Sequence, residues 1–242
     1  MRPILSPLLL ALSSLPFSRS ALCVLSWNIS YVPPGGLRDI SFPINLSRAP
    51  HVAGYHFAQR VKFYGQTSVA YAGLQPRQDT SSGATVLRGV FTSFINGTTT
   101  TDPNCSEGVD DGPGVSCAHD FSGSHADTWD LIMTNTAGTT WAGKAVNYKN
   151  GTAFHIGTWT LPEGTGGIQG SQVGFMDYFP WNTNFSMTCA DLPPTECTFS
   201  PPTTGSSWNG YSVGSISGSV ERCENNVDHG PSLNGGWRFA IF

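Results

Sequence analysis

From Tyr55 to Phe179 the chain alternates apolar and polar residues in short runs, each closed by Gly, Pro, Asn or Ser. Alternation with period two puts successive side chains on opposite faces of a strand, whereas a helix needs apolar residues three and four apart. Almost no segment repeats at helical spacing, so about a dozen antiparallel strands are expected. In Tyr55–Phe63, for instance, Tyr55, Phe57, Val61 and Phe63 face inward while His56, Arg60 and Lys62 face outward. The pattern predicts further strands over 38–46, 69–75, 85–94, 115–121, 128–135, 140–148, 154–161 and 172–179. Weaker ones follow at 208–213, 215–222 and 237–242. Turn residues separate them, and Asn150-Gly151 reads as a type I′ hairpin because both residues tolerate positive φ.

Residues 182–207 interrupt the alternation with Pro193-Pro194, Pro201-Pro202 and two cysteines. With no second apolar block to connect, region 182–223 reads as a disulfide-stapled loop region within one domain. The expected fold is a single antiparallel β-sandwich over 21–242, of jelly-roll or concanavalin-A-like lectin type. Helix is expected in less than about one tenth of the chain.

Residues 1–20 read as a signal peptide. Arg2 gives a basic start, Leu5 to Phe17 an apolar stretch, and Ser18 and Ser20 small residues ahead of a cleavage point near Ala21. The apolar stretch is too short and broken to span a bilayer. Asn28, Asn45, Asn96, Asn150 and Asn184 each begin an Asn-x-Ser/Thr acceptor, so an exported, glycosylated and plausibly fungal chain is expected. The six cysteines, Cys23, Cys105, Cys117, Cys189, Cys197 and Cys223, then predict three disulfides. Cys105–Cys117 closes a Gly/Asp/Pro-rich loop, and one of the three later cysteines is expected to reach back to Cys23. No Cys-x-x-Cys pair suggests zinc.

The formal net charge is −4 with 12% charged residues, which argues against nucleic acid and anionic membrane surfaces as partners. Gly, Ser, Thr, Asn and aromatic rings take the place of charge, a surface suited to sugars. A secreted monomer that binds a glycan is the leading expectation.

Five segments carry a resemblance: YAGLQPR (Tyr71–Arg77), CSEGVDDGPGVSC (Cys105–Cys117), TTWAGKAV (Thr139–Val146), HIGTWTLP (His155–Pro162) and SQVGFMDYF (Ser171–Phe179). In this order they resemble the domain of unknown function numbered 3472, over roughly Phe42 to Phe179. The resemblance implies an exported, lectin-like β-sandwich and no particular activity.

Candidate binding residues are Tyr71, Gln75, Arg77, Trp141, His155, Trp159, Asp177 and Tyr178. Flat rings stack on sugar C–H faces, while amides, carboxylates and arginine forks take hydroxyls. The tryptophans suit a core equally well, and Arg77, after Pro76, suits a structural ion pair as much as a ligand. Tyr71, Arg77, His155 and Asp177 are also the candidate catalytic residues of a polysaccharide-degrading enzyme. In a lyase, Tyr71 or His155 abstracts the proton while Arg77 and Gln75 hold the uronate. A glycoside hydrolase would draw its carboxyl pair from Asp130, Glu163, Asp177 and Glu221, none paired by a local motif. Asp102, Glu107, Asp110 and Asp111 lie in one loop and suit either Ca²⁺ or a solvated acidic turn; no other cofactor is expected. A small secreted effector, stiffened by disulfides, is a third reading.

Overall fold

The computed structural model describes residues 21–184 and 186–242; the signal peptide expected over 1–20 lies outside them. Seventeen strands form among the described residues. In chain order they are β1 (Ala21–Asn28), β2 (Asp39–Asn45), β3 (Tyr55–Lys62), β4 (Val69–Arg77), β5 (Val86–Ser93), β6 (Cys105–Val109), β7 (Gly112–Ser122), β8 (Thr128–Ala137) and β9 (Thr140–Asn147). They continue as β10 (Ala153–Thr160), β11 (Ser171–Tyr178), β12 (Thr195–Phe199), β13 (Thr203–Ser207), β14 (Gly210–Val213), β15 (Ser215–Val220), β16 (Val227–Pro231) and β17 (Trp237–Ile241). Helix among the described residues is confined to three short 3₁₀ turns: Phe179–Asn182, Cys189–Asp191 and Glu224–Asn226. No helix among them is long and apolar enough to cross a membrane.

The strands build the expected antiparallel sandwich. One sheet runs β15-β1-β11-β3-β4-β5-β7-β6. The other runs β10-β9-β8-β2-β12-β17-β16, with the β13–β14 hairpin attached to β2. Cross-strand partners share a face, so the register decides what meets the core. Gln59 pairs with Gly174 and Ala72, which puts Phe57, Met176 and Leu74 on the inner face and His56, Asp177 and Gly73 on the outer one.

Rings join the two sheets. Trp27 meets Phe42 edge-on at 5.3 Å, and Phe63 meets Trp141 at 4.9 Å. Phe91 of β5 stacks on Trp159 of β10 at 4.4 Å. Gly143 permits that stack, because a β-carbon there would overlap the Phe91 ring. Each such ring removes a large apolar area from water, and the edge-on and offset contacts add specificity.

Cys105–Cys117 forms as expected, across the β6–β7 pair. The expectation of three bridges is corrected to two: Cys189 pairs with Cys223, while Cys23 and Cys197 are buried free thiols. Cys23 sits on β1 and Cys197 on β12, in opposite sheets, and the Cys197 sulfur packs 3.7 Å from the Met176 sulfur. Burial pushes both thiols well above the ordinary cysteine range.

Region 182–223 is stapled by Cys189–Cys223, and the strands expected at 208–213 and 215–222 form within it as β14 and β15; the correction is that β12 and β13 form where only loop was expected. Its prolines flank the strands instead of preventing them, since Pro193-Pro194 precedes β12 and Pro201-Pro202 separates β12 from β13. The strands β1, β6, β12, β13 and β16 escaped the alternation because they are short, polar or directly after the segment expected to be a signal peptide. At Asn150-Gly151 only Gly151 takes positive φ (73°), so the β9–β10 loop is longer than a type I′ turn. The Gly151 N–H instead reaches back to the Asn147 carbonyl at 2.9 Å.

Gly143→Ala should lower stability by about 1–3 kcal/mol, because Phe91 has to leave its stack on Trp159. Denaturant unfolding of the purified variant measures this, with the midpoint shifting while the slope is retained.

Candidate functional site

Strands β3, β4, β5 and β11 turn their polar and ring-bearing residues to the outer face of the eight-stranded sheet. His56 and Arg60 come from β3, Tyr71, Gly73, Gln75 and Arg77 from β4, and Phe175 and Asp177 from β11. Because partners share a face, Arg60 stands beside Tyr71, and His56 stands beside Asp177.

An aromatic triangle organises this face. The His56 ring is edge-on to Tyr71 at 5.2 Å and to Phe175 at 5.3 Å. Tyr71 and Phe175 are 6.1 Å apart, and the Arg60 guanidinium lies 4.9 Å over Phe175. Such stacking orients the guanidinium and leaves its N–H groups for other acceptors. The absence of a side chain at Gly73 makes room for His56, since a β-carbon would come within 2.6 Å of His56 Nε2.

Arginine continues along β4 and β5. Arg77 donates to the Pro76 carbonyl at 2.9 Å and to Oε1 of Gln75. Arg88 forks onto Asp120 of β7 at 2.6 and 3.0 Å. Burial together with Arg77 and Arg60 pulls His56 down to about 3, so its imidazole is neutral near neutral pH. Burial pushes the Tyr71 hydroxyl upward, against a hydrogen bond from Thr92 that pulls the other way. Asp177 holds Arg60 toward its charged form, opposing the burial that lowers it. His56 Nε2 is buried and has no hydrogen-bond partner among the described residues.

The sequence candidates divide cleanly. Tyr71, Gln75, Arg77 and Asp177 come together on this face. Trp141 and Trp159 do not: both are buried between the sheets with no ring face open to a ligand. Tyr178 packs at 4.9 Å against Tyr55 on the inner side, one residue out of phase with Asp177. His155 lies on β10 of the other sheet, where Nε2 contacts Asp102 at 2.6 Å. The carboxyls considered for hydrolysis are dispersed as well: Asp130 is on β8, Glu221 follows β15, and Glu163 sits in the turn after β10. In the acidic loop, Asp102 is committed to His155 and the Asn104 N–H, and Asp110 and Asp111 occupy left-handed turn positions. Four glycosylation acceptors, Asn28, Asn96, Asn150 and Asn184, are exposed, whereas the Asn45 amide donates to the Ala126 carbonyl.

Sequence reasoning placed His56 and Arg60 outward but did not count them as site residues. Their outward phase on β3, opposite Tyr71 and Gly73, was the available signal.

No family model matches the chain, and no curated protein matches it. Among solved structures, scytalido-glutamic peptidase with a transition-state-analogue inhibitor aligns at 16% identity and a TM-score of 0.46, covering 93% of this chain and 99% of that one. The same peptidase with a peptide-based analogue gives 13% and 0.49 over the same shares. SCP-B, an eqolisin-family peptidase bound to the tripeptide Ala-Ile-His, gives 12% and 0.44, again with 93% and 99% covered. At such distances no residue or activity transfers.

The depressed His56 has a measurable consequence. In the unfolded chain a histidine protonates near 6.5, whereas in the folded one it resists until about 3. The unfolded state therefore binds more protons inside that window, and stability falls as pH drops from 6.5 toward 3. The slope from this group is up to about 1.4 kcal/mol per pH unit. His56→Gln should flatten the slope when stability is followed by denaturant unfolding across that range.

Proposed function

We propose that the protein is an exported, lectin-like glycan-binding protein that takes a saccharide chain across the outer face of its eight-stranded sheet. The observation that carries the reading is the convergence there of the Tyr71 and Phe175 rings with Arg60, Arg77 and Gln75. Rings offer a surface to sugar C–H groups, and the guanidinium forks suit hydroxyls.

The enzyme alternatives draw less support. A lyase base at Tyr71 needs its proton to leave easily, yet burial pushes that hydroxyl up. His155 lies on the opposite sheet, and Gln75 is already engaged by Arg77. The carboxyls available for glycoside hydrolysis do not face one another across a cleft. A protein-directed effector role has no feature of this face in its favour.

A glycan array and pull-down on polysaccharide particles test the reading. Wild type should bind, and Arg77→Ala should weaken binding by about ten-fold, the usual scale for a charge-assisted hydrogen bond. Arg77→Lys should recover only part, because the fork is lost. Silence of the folded protein on every glycan would remove the reading. A rise in ultraviolet absorbance on a uronate polymer would replace it with β-elimination.

A further inference from the structure

Outside that face, three of the chain's exposed rings belong to neighbouring segments. Tyr31 is 65% exposed, Trp208 67% and Tyr211 71%. They belong to one local structure, the β13–β14 hairpin and the loop after β1, joined by the Trp208 N–H donating to the Tyr31 carbonyl at 2.8 Å. Tyr31 sits at φ 60°, a left-handed conformation that costs a tyrosine free energy and persists only where surroundings enforce it.

The hairpin is held firmly. The Ser207 hydroxyl donates to the Gly210 carbonyl at 2.7 Å across a turn in which Gly210 takes φ 77°. The Ser206 oxygen accepts from the Arg38 and Asp39 N–H groups at 2.8 and 3.2 Å. Asp39 in turn accepts from the Gly205 N–H at 2.7 Å. Rings presented on a braced turn lose little conformational entropy on binding, which favours a ligand.

Two observations select the occupant. Residues 28–31 and 207–217 contain no charged side chain, and the same segments carry the amides of Asn28 and Asn209 and the hydroxyl of Ser215. The hairpin also leads through Gly214 into β15, the edge of the eight-stranded sheet, where Ser215 pairs with Asn28. Three strand spacings, roughly 14 Å, separate β15 from β3 and its Arg60. That distance is a few sugar units.

We propose that Tyr31, Trp208 and Tyr211 form a second carbohydrate contact, an aromatic platform for uncharged hexose units of the polymer chain bound on the neighbouring sheet face. The inference rests on the glycan-binding reading and deepens it: the ligand is a long, neutral polysaccharide, held by C–H/ring contacts at the platform and by polar contacts near Arg60 and Arg77.

The test uses full-length secreted protein and insoluble β-glucan, cellulose and chitin particles as neutral probes, with polygalacturonate as an acidic one. Trp208→Ala and Tyr211→Ala should each weaken binding to a neutral polymer by roughly five- to ten-fold, with the double variant weaker still. Trp208→Phe should retain most of it, and circular dichroism checks folding. Unchanged binding in folded Trp208→Ala, with loss in Arg77→Ala, would overturn the platform and leave the glycan reading standing. Binding of wild type to polygalacturonate alone would do the same. No binding to any polymer would remove both. A Trp208-dependent dimer without polymer binding would identify a second copy on the rings and overturn the proposal.

Discussion

The contact on which the rest of the molecule depends is the ring packing between the two sheets. Phe63 against Trp141, Phe91 against Trp159 and Trp27 against Phe42 tie strands distant in sequence into one layer pair. A sheet has an apolar face that must be covered, and here the cover is the other sheet, with no helix between. Once those rings are committed inward, the alternation of each strand forces the intervening residues outward. The polar face with His56, Arg60, Tyr71 and Arg77 is therefore a consequence of the core.

Glycine is the counterpart of the rings. Gly143 makes space for Phe91 inside, and Gly73 makes space for His56 outside. On the inner face the space deepens packing. On the outer face it lets an imidazole settle into a site buried enough to hold it neutral. Its Nε2 is enclosed there without a hydrogen-bond partner among the described residues, a cost the packing of this face carries.

The disulfides reinforce positions that packing leaves weak. Cys105–Cys117 secures the edge strand β6, and Cys189–Cys223 closes the region from β12 to β15. Cys23 and Cys197, by contrast, lie within the core and serve as small apolar residues. An even cysteine count set the expectation of full pairing, but which thiols come within bonding distance is decided by the fold, which pairs Cys189 with Cys223 and leaves Cys23 and Cys197 unpaired in the core.

The sequence by itself determined the local geometry: period-two runs and Gly/Asn/Pro turns fixed an all-β sandwich and the phase of β3, β4 and β11. Because phase is local, the grouping of Tyr71, Gln75 and Arg77 on one face was legible, as was the outward direction of His56 and Arg60. Which face meets which strand was decided by tertiary structure. Trp141 and Trp159 have the same period as a binding strand, yet the opposite sheet covers them; His155 shares the chemistry of His56, yet β10 belongs to the other layer. The strands hidden among the C-terminal prolines, and the exposed rings of their hairpin, also emerge only in three dimensions. Short polar segments have no amphipathic signal of their own and become strands by pairing with β2 and β17.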